Sequence, residues 1–308
     1  MVGVHGFIIR GITTPSISQF AVLSSNPSIP PLRRRHACAT IKITLTLSTT
    51  HSDSDGRLKY MATPRVFIAR HGETEWSLDG RHTGNTDIPL TEDGERRVKA
   101  TGKALVGNDR LIVPRQLSHI YVSPRKRAQR TFELLNLGIK DPLPWHSHGV
   151  APTDAPATDD CRARVEVTEA IREWDYGDYE GITSAAIRDI REKQGLGRDW
   201  DIWRDGCVGG ESPEDVTRRV DGLIAEIRSK YHAPVIGKPK DPSTPCGDIL
   251  IVAHGHILRA FAMRWVGKIL PEGPTLLLEA GGIGTLSYEH HNINEPAILL
   301  GGAFIIGK

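Results

Sequence analysis

Short apolar runs punctuate this chain, and each one ends in a polar or glycine-containing turn. Val66-Phe67-Ile68-Ala69, Ser118-His119-Ile120-Tyr121-Val122 and Ile249-Leu250-Ile251-Val252-Ala253 are rich in β-branched and aromatic residues and read as strands. Between them the apolar spacing widens to a helical period. One helix is expected from Thr91, a plausible N-cap with acidic residues in the turn after it, to about Val106. A second follows Pro124, which suits a first helical position. Two more are expected over 182–195 and 213–231, the latter marked by Ser212 as cap and Pro213 at its start, with Trp200–Gly206 as the separator. A last helix is expected from Ile257 to about Val266. Shorter strands are expected at Arg164–Val167, Ile283–Tyr288 and Ala297–Leu300, and residues 141–163 read as a long surface loop. Strands alternating with helices predict a three-layer α/β/α sandwich with a largely parallel central sheet, in which the strands near 66–70, 119–122 and 249–253 are neighbours.

The first 60 residues break this pattern. They hold no Asp or Glu before Asp53, while Ser, Thr and Pro are plentiful and Arg33, Arg34 and Arg35 form a basic cluster. Such a segment reads as a disordered extension outside the fold, or as an organellar transit peptide, or as a start joined upstream of Met61. The domain proper is then expected over 61–308. Its location is expected to be cytoplasmic, or mitochondrial if the first segment is a transit peptide.

Composition adds limits rather than direction. With 308 residues, 39% hydrophobic and 25% charged, the chain can build a sizeable soluble core. A net charge of only +2 gives no general field for nucleic acid or membrane, and no apolar run approaches the roughly 18 residues of a membrane span. Cys38, Cys161, Cys207 and Cys246 form no C-x-x-C pair and fit free thiols in a reducing compartment.

The chemistry sits where strands end. Arg70-His71-Gly72 follows the first strand, and His254-Gly255-His256 follows the third. Ligands in open α/β sheets collect at the carboxyl ends of strands, so two strand-end histidines suggest one shared pocket. Ser123-Pro124-Arg125-Lys126-Arg127 follows the second strand and is either an anion site at a helix N-terminus or a solvated basic helix face. Arg172–Gly181 packs four carboxylates and three aromatics into ten residues. A carboxyl pressed against those rings would act as a general acid; otherwise the segment is an acidic loop whose aromatics pack on the core. If Arg70, His71, Arg125 and His254 converge, two guanidinium forks can hold phosphate oxygens while one imidazole attacks phosphorus. That chemistry runs through a phosphohistidine with no metal or cofactor.

In this order, Arg70-His71-Gly72-Glu73-Thr74, Ser123-Pro124-Arg125, Glu173 before Tyr176-Gly177, and Ala253-His254-Gly255-His256 resemble the histidine phosphatase (phosphoglycerate-mutase-like) superfamily over about 65–302. Arg172–Gly181, Ile202–Cys207 and Gly281–Asn292 are similar to its fungal-type sedoheptulose-1,7-bisphosphatase branch. The resemblance implies His71 as nucleophile, Glu173 as proton donor, and Arg70, Arg125 and His254 as holders of the phosphoryl group. It implies Ser77, Thr83, Gly84, Tyr176 and Arg259 as substrate contacts. Ser77 stands where many members have Asn, and the link from Trp265 to Gly281 is shorter than in relatives. The implied substrate is a phosphorylated sugar, first sedoheptulose 1,7-bisphosphate. A phosphoglycerate mutase or a broad-specificity phosphatase of the same superfamily is the alternative. A metal hydrolase built on His254 and His256 would need further ligands at successive strand ends, and none is found; a non-catalytic phospho-ligand module would not need His71 and Glu173. His256 reads as a supporting histidine, His82 is left aside, and His290-His291 is read as structural for want of a carboxylate at ligand spacing. Oligomeric state stays open, a homo-oligomer included.

Overall fold

A computed structural model describes residues 51–52, 58–59, 61–152, 161–240 and 247–300. The expectation of disorder over the first 60 residues lies almost wholly outside them. A two-residue pair, β1 (His51–Ser52) with β2 (Leu58–Lys59), precedes the main sheet.

That sheet has six strands: β3 (Val66–Arg70), β4 (Leu117–Val122), β5 (Arg164–Val167), β6 (Asp248–Ala253), β7 (Ile283–Tyr288) and β8 (Pro296–Leu299). Their spatial order is β5-β4-β6-β3-β7-β8, with β5, β4, β6 and β3 parallel and β7 and β8 antiparallel to their neighbours. The three predicted strands are therefore adjacent, and the fold is α/β with a mostly parallel sheet. β3 and β6 read as continuous apolar runs because both sheet faces are covered. Val66 and Ile68 pack to one face with α6 (Pro213–Ile227) and α7 (Gly255–Trp265). Phe67 and Ala69 pack to the other, with Val98 of α2 (Glu92–Leu105) and Ala128 and Phe132 of α3 (Lys126–Leu135). Phe67 is fully buried, so Phe67→Ala would cost about 3–5 kcal/mol.

The register of the parallel strands positions the site. Arg70 pairs with Ala253 and Val122 with Val252, so three chain segments leave the sheet side by side. The ladder continues past the strands, with His71 N donating to Ala253 O at 2.9 Å and Ser123 N to Val252 O at 3.0 Å.

Several local details differ from the sequence reading. Helix α3 starts at Lys126, not at Pro124, because the Asp87 carboxylate accepts the Lys126 N–H at 2.8 Å and Arg125 stays extended as the N-cap. A short helix, α1 (Glu75–Asp79), is capped by Thr74 and ends at Gly80 in the left-handed region. The expected 182–195 helix is α4 (Ser184–Lys193), and the Trp200–Gly206 separator contains α5 (Ile202–Asp205). Helix α6 gives way after Ile227 to a wider turn, Arg228–His232, where the buried His232 Nδ1 meets the Tyr288 hydroxyl at 2.7 Å. Helix α2 starts at the expected cap, Thr91, whose hydroxyl accepts from Gly94 N. Gly94 has no alternative there: a Cβ would lie 2.4 Å from Glu73 O, in the loop after His71. Cys161 and Cys207 are buried thiols. Among the described residues no helix is long and apolar enough to cross a membrane.

Candidate active site

His71 leaves the end of β3 with its ring buried and its Nδ1 2.7 Å from the Gly72 carbonyl. A carbonyl only accepts, so Nδ1 carries the proton and Nε2 is left with a free lone pair. Gly72 is itself pinned, its N–H donating to Thr131 Oγ1 of α3 at 3.0 Å. Burial, then the charges of Arg127 and Arg70, hold the His71 pKa well below its ordinary 6.5, against a smaller opposing pull from the Gly72 carbonyl. The ring is neutral at pH 7, as a nucleophile must be.

His254 follows β6, fully buried, with its ring centroid 5.1 Å from that of His71. Its Nδ1 accepts from Arg127 Nε at 3.1 Å, so its own proton belongs on Nε2, which meets Ser123 Oγ at 2.6 Å. Burial first, then Arg127 and His71, keep its pKa well below 6.5.

The arginine assignment from the sequence needs correction. Neither Arg125 nor Arg127 lines the cleft, and Arg125 turns to the 84–85 loop, its Nε donating to Gly84 O at 3.2 Å and its Nη2 to Asn85 Oδ1 at 2.6 Å. Arg127 is the arginine beside the histidines. It is 0% exposed and also donates to the carbonyls of Thr86, Thr83 and Gly84 at 2.9, 2.8 and 3.1 Å. Helical phase could have found it, because Arg127, Ala128, Thr131 and Leu135 share the sheet-facing side of α3, all buried. Arg70 does line the cleft. Its Nη1 donates to Leu278 O at 2.8 Å, while its buried Nε finds no partner among the described residues. A buried cationic donor left open suits an anion.

Glu173 closes the cleft from the other side. Its Oε1 accepts from Trp174 N and Ile257 N, both at 2.9 Å, and its Oε2 from His256 N at 3.1 Å. The buried carboxyl group thus caps the N-terminus of α7. Trp174 and Tyr176 are buried beside it as expected, but main-chain N–H groups, not bare aromatic faces, satisfy its oxygens.

Arg70, His71 and Glu173 border a cleft of about 220 Å³, while His254 and Arg127 are buried and do not line it. Of the residues expected to touch substrate, Ser77, Thr83, Tyr176 and Arg259 line it and Gly84 does not. The Ser77 hydroxyl is occupied by its own helix cap, donating to Thr74 O at 2.8 Å. Arg259 lies over the Trp203 ring at 5.3 Å, with Nε on Gly255 O. His256, read as supporting, lines the cleft and meets the Tyr176 hydroxyl at 2.7 Å. Sequence reasoning also sets aside His82, which lines the cleft and whose pKa burial lowers to about 4. In the link before Gly281, Leu277 and Leu278 form a lip of the cleft, and the Leu278 carbonyl holds Arg70. Far along the chain, His290 does have carboxylates at ligand spacing, contrary to the expectation from sequence. Glu289 and Glu295 place their oxygens within 4.8 Å of its ring nitrogen and of each other, and His290 Nδ1 is paired with Glu295 at 2.6 Å on the exposed surface.

Residues 66–148 and 151–295 match the family model for the histidine phosphatase superfamily (branch 1). The chain is 36% identical to the sedoheptulose 1,7-bisphosphatase of Saccharomyces cerevisiae, over 79% of this chain and 94% of that one. It is 32% identical to an acid phosphatase of Mycobacterium tuberculosis, over 76% of this chain and 91% of that one. Its fold is similar to the crystal structure of a phosphoglycerate mutase from Bacillus anthracis, with a TM-score of 0.54 at 16% identity, covering 79% of this chain and 94% of that one.

Proposed function

The chain belongs to the histidine phosphatase superfamily, and from that premise we propose that it is a sugar bisphosphate phosphatase working through a phosphohistidine on His71. The observation that carries this reading is the tautomer of His71: the Gly72 carbonyl takes the Nδ1 proton, so Nε2 is the free nucleophile in a cleft flanked by Arg70. In the first step His71 Nε2 bonds to phosphorus as the bond from phosphorus to the sugar oxygen breaks. A proton on Glu173 Oε2, the oxygen with the single longer main-chain bond, passes to the departing alkoxide. Water then attacks phosphorus, Glu173 takes back a proton, and His71 is released with inorganic phosphate. Arg70 offers its open Nε to the phosphoryl group in transit, Arg127 adds positive charge from behind, and neutral His254 holds Arg127 in place, in a buried site where such interactions are strong.

Sedoheptulose 1,7-bisphosphate is the foremost substrate, with hydrolysis at its 1-phosphate. Two features support it: the 36% identity to a yeast enzyme of that name, and further cations, Arg81 and Arg259, lining the cleft in addition to Arg70. A mutase is the competing reading, since the first half-reaction would be the same. It must keep its bisphosphorylated intermediate from water. The exposed lip at Leu277, 83% accessible, favours hydrolysis. A panel of phosphorylated sugars assayed for released phosphate, with phosphoglycerates alongside, tests both readings. Phosphate release from sedoheptulose 1,7-bisphosphate above the other sugars is expected. Isomerised phosphoglycerate without phosphate release would replace the proposal with a mutase.

A further inference from the structure

We propose that Glu180 is a positioning residue for substrate selection: from outside the cleft it clamps the Thr83–Thr86 loop against the catalytic core. The inference rests on the proposed function only in taking Thr83 as a wall of the substrate site.

Every main-chain polar group involved points the same way. On one side the Glu180 carboxylate accepts Gly84 N at 3.0 Å (Oε1) and 2.9 Å (Oε2), and Thr86 N at 2.9 Å (Oε1). On the other side Arg127 takes the carbonyls of Thr83, Gly84 and Thr86, and Arg125 adds a second donor to Gly84 O. The loop's peptide dipoles thus run between an anion and two cations, N–H toward Glu180 and C=O toward the arginines. Charge-assisted bonds of this kind are the stronger class. The fit is close: a Cβ on Gly84 would lie 2.5 Å from Trp174 O, 2.9 Å from Glu180 Oε2 and 3.0 Å from the Tyr176 ring. Only glycine fits there, which explains this residue without any contact to substrate.

Glu180 also belongs to the segment that carries Glu173. From Glu173 to Thr183 the chain forms a platform, on which His82 N donates to Ile182 O and Gly181 N to His82 O. One platform therefore presents the proton donor at one end and grips the Arg81–Thr86 loop at the other. The loop's inner side places His82 and Thr83 on the cleft wall, while the Glu180 side chain does not line the cleft. Arg127 ties this loop to the catalytic core, since it bonds both the loop and His254. Loosening Glu180 leaves the His254–Arg127 bond in place but frees the wall. Substrates that reach the wall should suffer, and substrates small enough to use only the floor should not.

The test is Glu180→Ala, with Glu180→Gln as the conservative partner. Gln keeps one acceptor oxygen for Gly84 or Thr86 and turns an N–H₂ toward the other. Amide hydrogen exchange should quicken in Glu180→Ala across 83–86 ahead of the rest of the domain, whatever the natural substrate is. KM for the best phosphorylated sugar should rise about tenfold or more, with p-nitrophenyl phosphate turnover changed less than about twofold. Glu180→Gln should recover part of the loss. Unchanged exchange at 83–86, or equal losses on the sugar phosphate and the aryl phosphate, would overturn the clamp. A wild type that hydrolyses the aryl phosphate and no sugar bisphosphate would instead sink the proposed substrate, with the exchange measurement still deciding the role of Glu180.

Discussion

At the floor, where His71 lines the cleft and Ser123 and His254 lie buried, the three residues follow three adjacent strands, and main-chain bonds carry the strand ladder on to His71 and Ser123. At the outer wall, Arg81, Thr83, Arg259 and Leu277 come from a loop, a loop, a helix and a link, and they meet only through tertiary folding. The floor is dry: His254 and Arg127 are 0% exposed. The wall is wet: the Arg81 side chain is 45% exposed, with Asp79 at 3.3 Å as its ion-pair partner. Buried, over-determined groups cannot adapt to different ligands, but they keep imidazoles neutral and correctly oriented for one chemistry. Half-exposed groups on loops contribute little to stability and can vary in what they recognise. Under the proposed function, this division gives bond-making to the floor and choice of substrate to the wall.

The sharpest way to break this division is to compare two arginines two residues apart. Arg127→Ala should reduce turnover to background and destabilise the fold by about 3–5 kcal/mol, because it strands buried carbonyls and a buried imidazole. Arg125→Ala should cost about 1 kcal/mol or less and leave most activity. Urea unfolding with kcat on each variant checks this, and a reversed ranking would break the division.

Acid should destabilise the fold next, through buried histidines on the floor and beyond it. Burial, the first cause in each case, lowers the pKa of His71, His254 and His256 well below 6.5, that of His82 to about 4 and that of His232 to about 3. In the unfolded chain these groups protonate near 6.5. Between there and the lower folded values the folded state binds fewer protons, so stability is complete above pH 6.5 and declines as pH falls. Each fully neutral histidine contributes a slope of about 1.4 kcal/mol per pH unit. Urea midpoints should drop steadily from pH 6.5 to 4.5, while the acid limb of kcat/KM, set by neutral His71, should fall below the ordinary histidine range. A limb centred at 6.5 would mean that His71 is not held neutral by the floor.

On the wall, Arg259→Ala should cost sugar bisphosphates about ten- to a hundredfold in kcat/KM and small monophosphates far less. Equal losses on both would move Arg259 from the wall to the structural core. The smallest effect is expected at the lip, where Leu277→Ala should change stability by less than about 0.5 kcal/mol and shift KM only slightly.

Legibility in the sequence divides along the same line. β3 and β6 are readable because strands buried on both faces must be apolar throughout, and the histidines after them stand out where those runs stop. The roles given to His71 and His254 begin from that local pattern. The second arginine is misplaced from sequence for a non-local reason: the helix starts at Lys126 rather than Pro124, because Asp87, far back in the chain, supplies its first acceptor. Nothing near Gly84 in the sequence shows that Glu180 takes its N–H, or that Leu278 lends its carbonyl to Arg70. The carboxylates around His290 escape a sequence reading because the turn, with His290 and His291 both at positive φ, folds Glu295 back onto the histidine. Such partners are separated along the chain and joined only by the fold.

The proposed chemistry turns on His71 Nε2 becoming phosphorylated. Any phosphomonoester that the enzyme turns over, radiolabelled in its phosphate, can be mixed with enzyme, quenched in alkali within a turnover and digested for peptide mapping. Label should appear on His71, survive base, be lost in acid as a phosphoramidate is, and be absent from His71→Ala. Acid-stable label, label on another residue, or label retained by His71→Ala would contradict the mechanism at its centre.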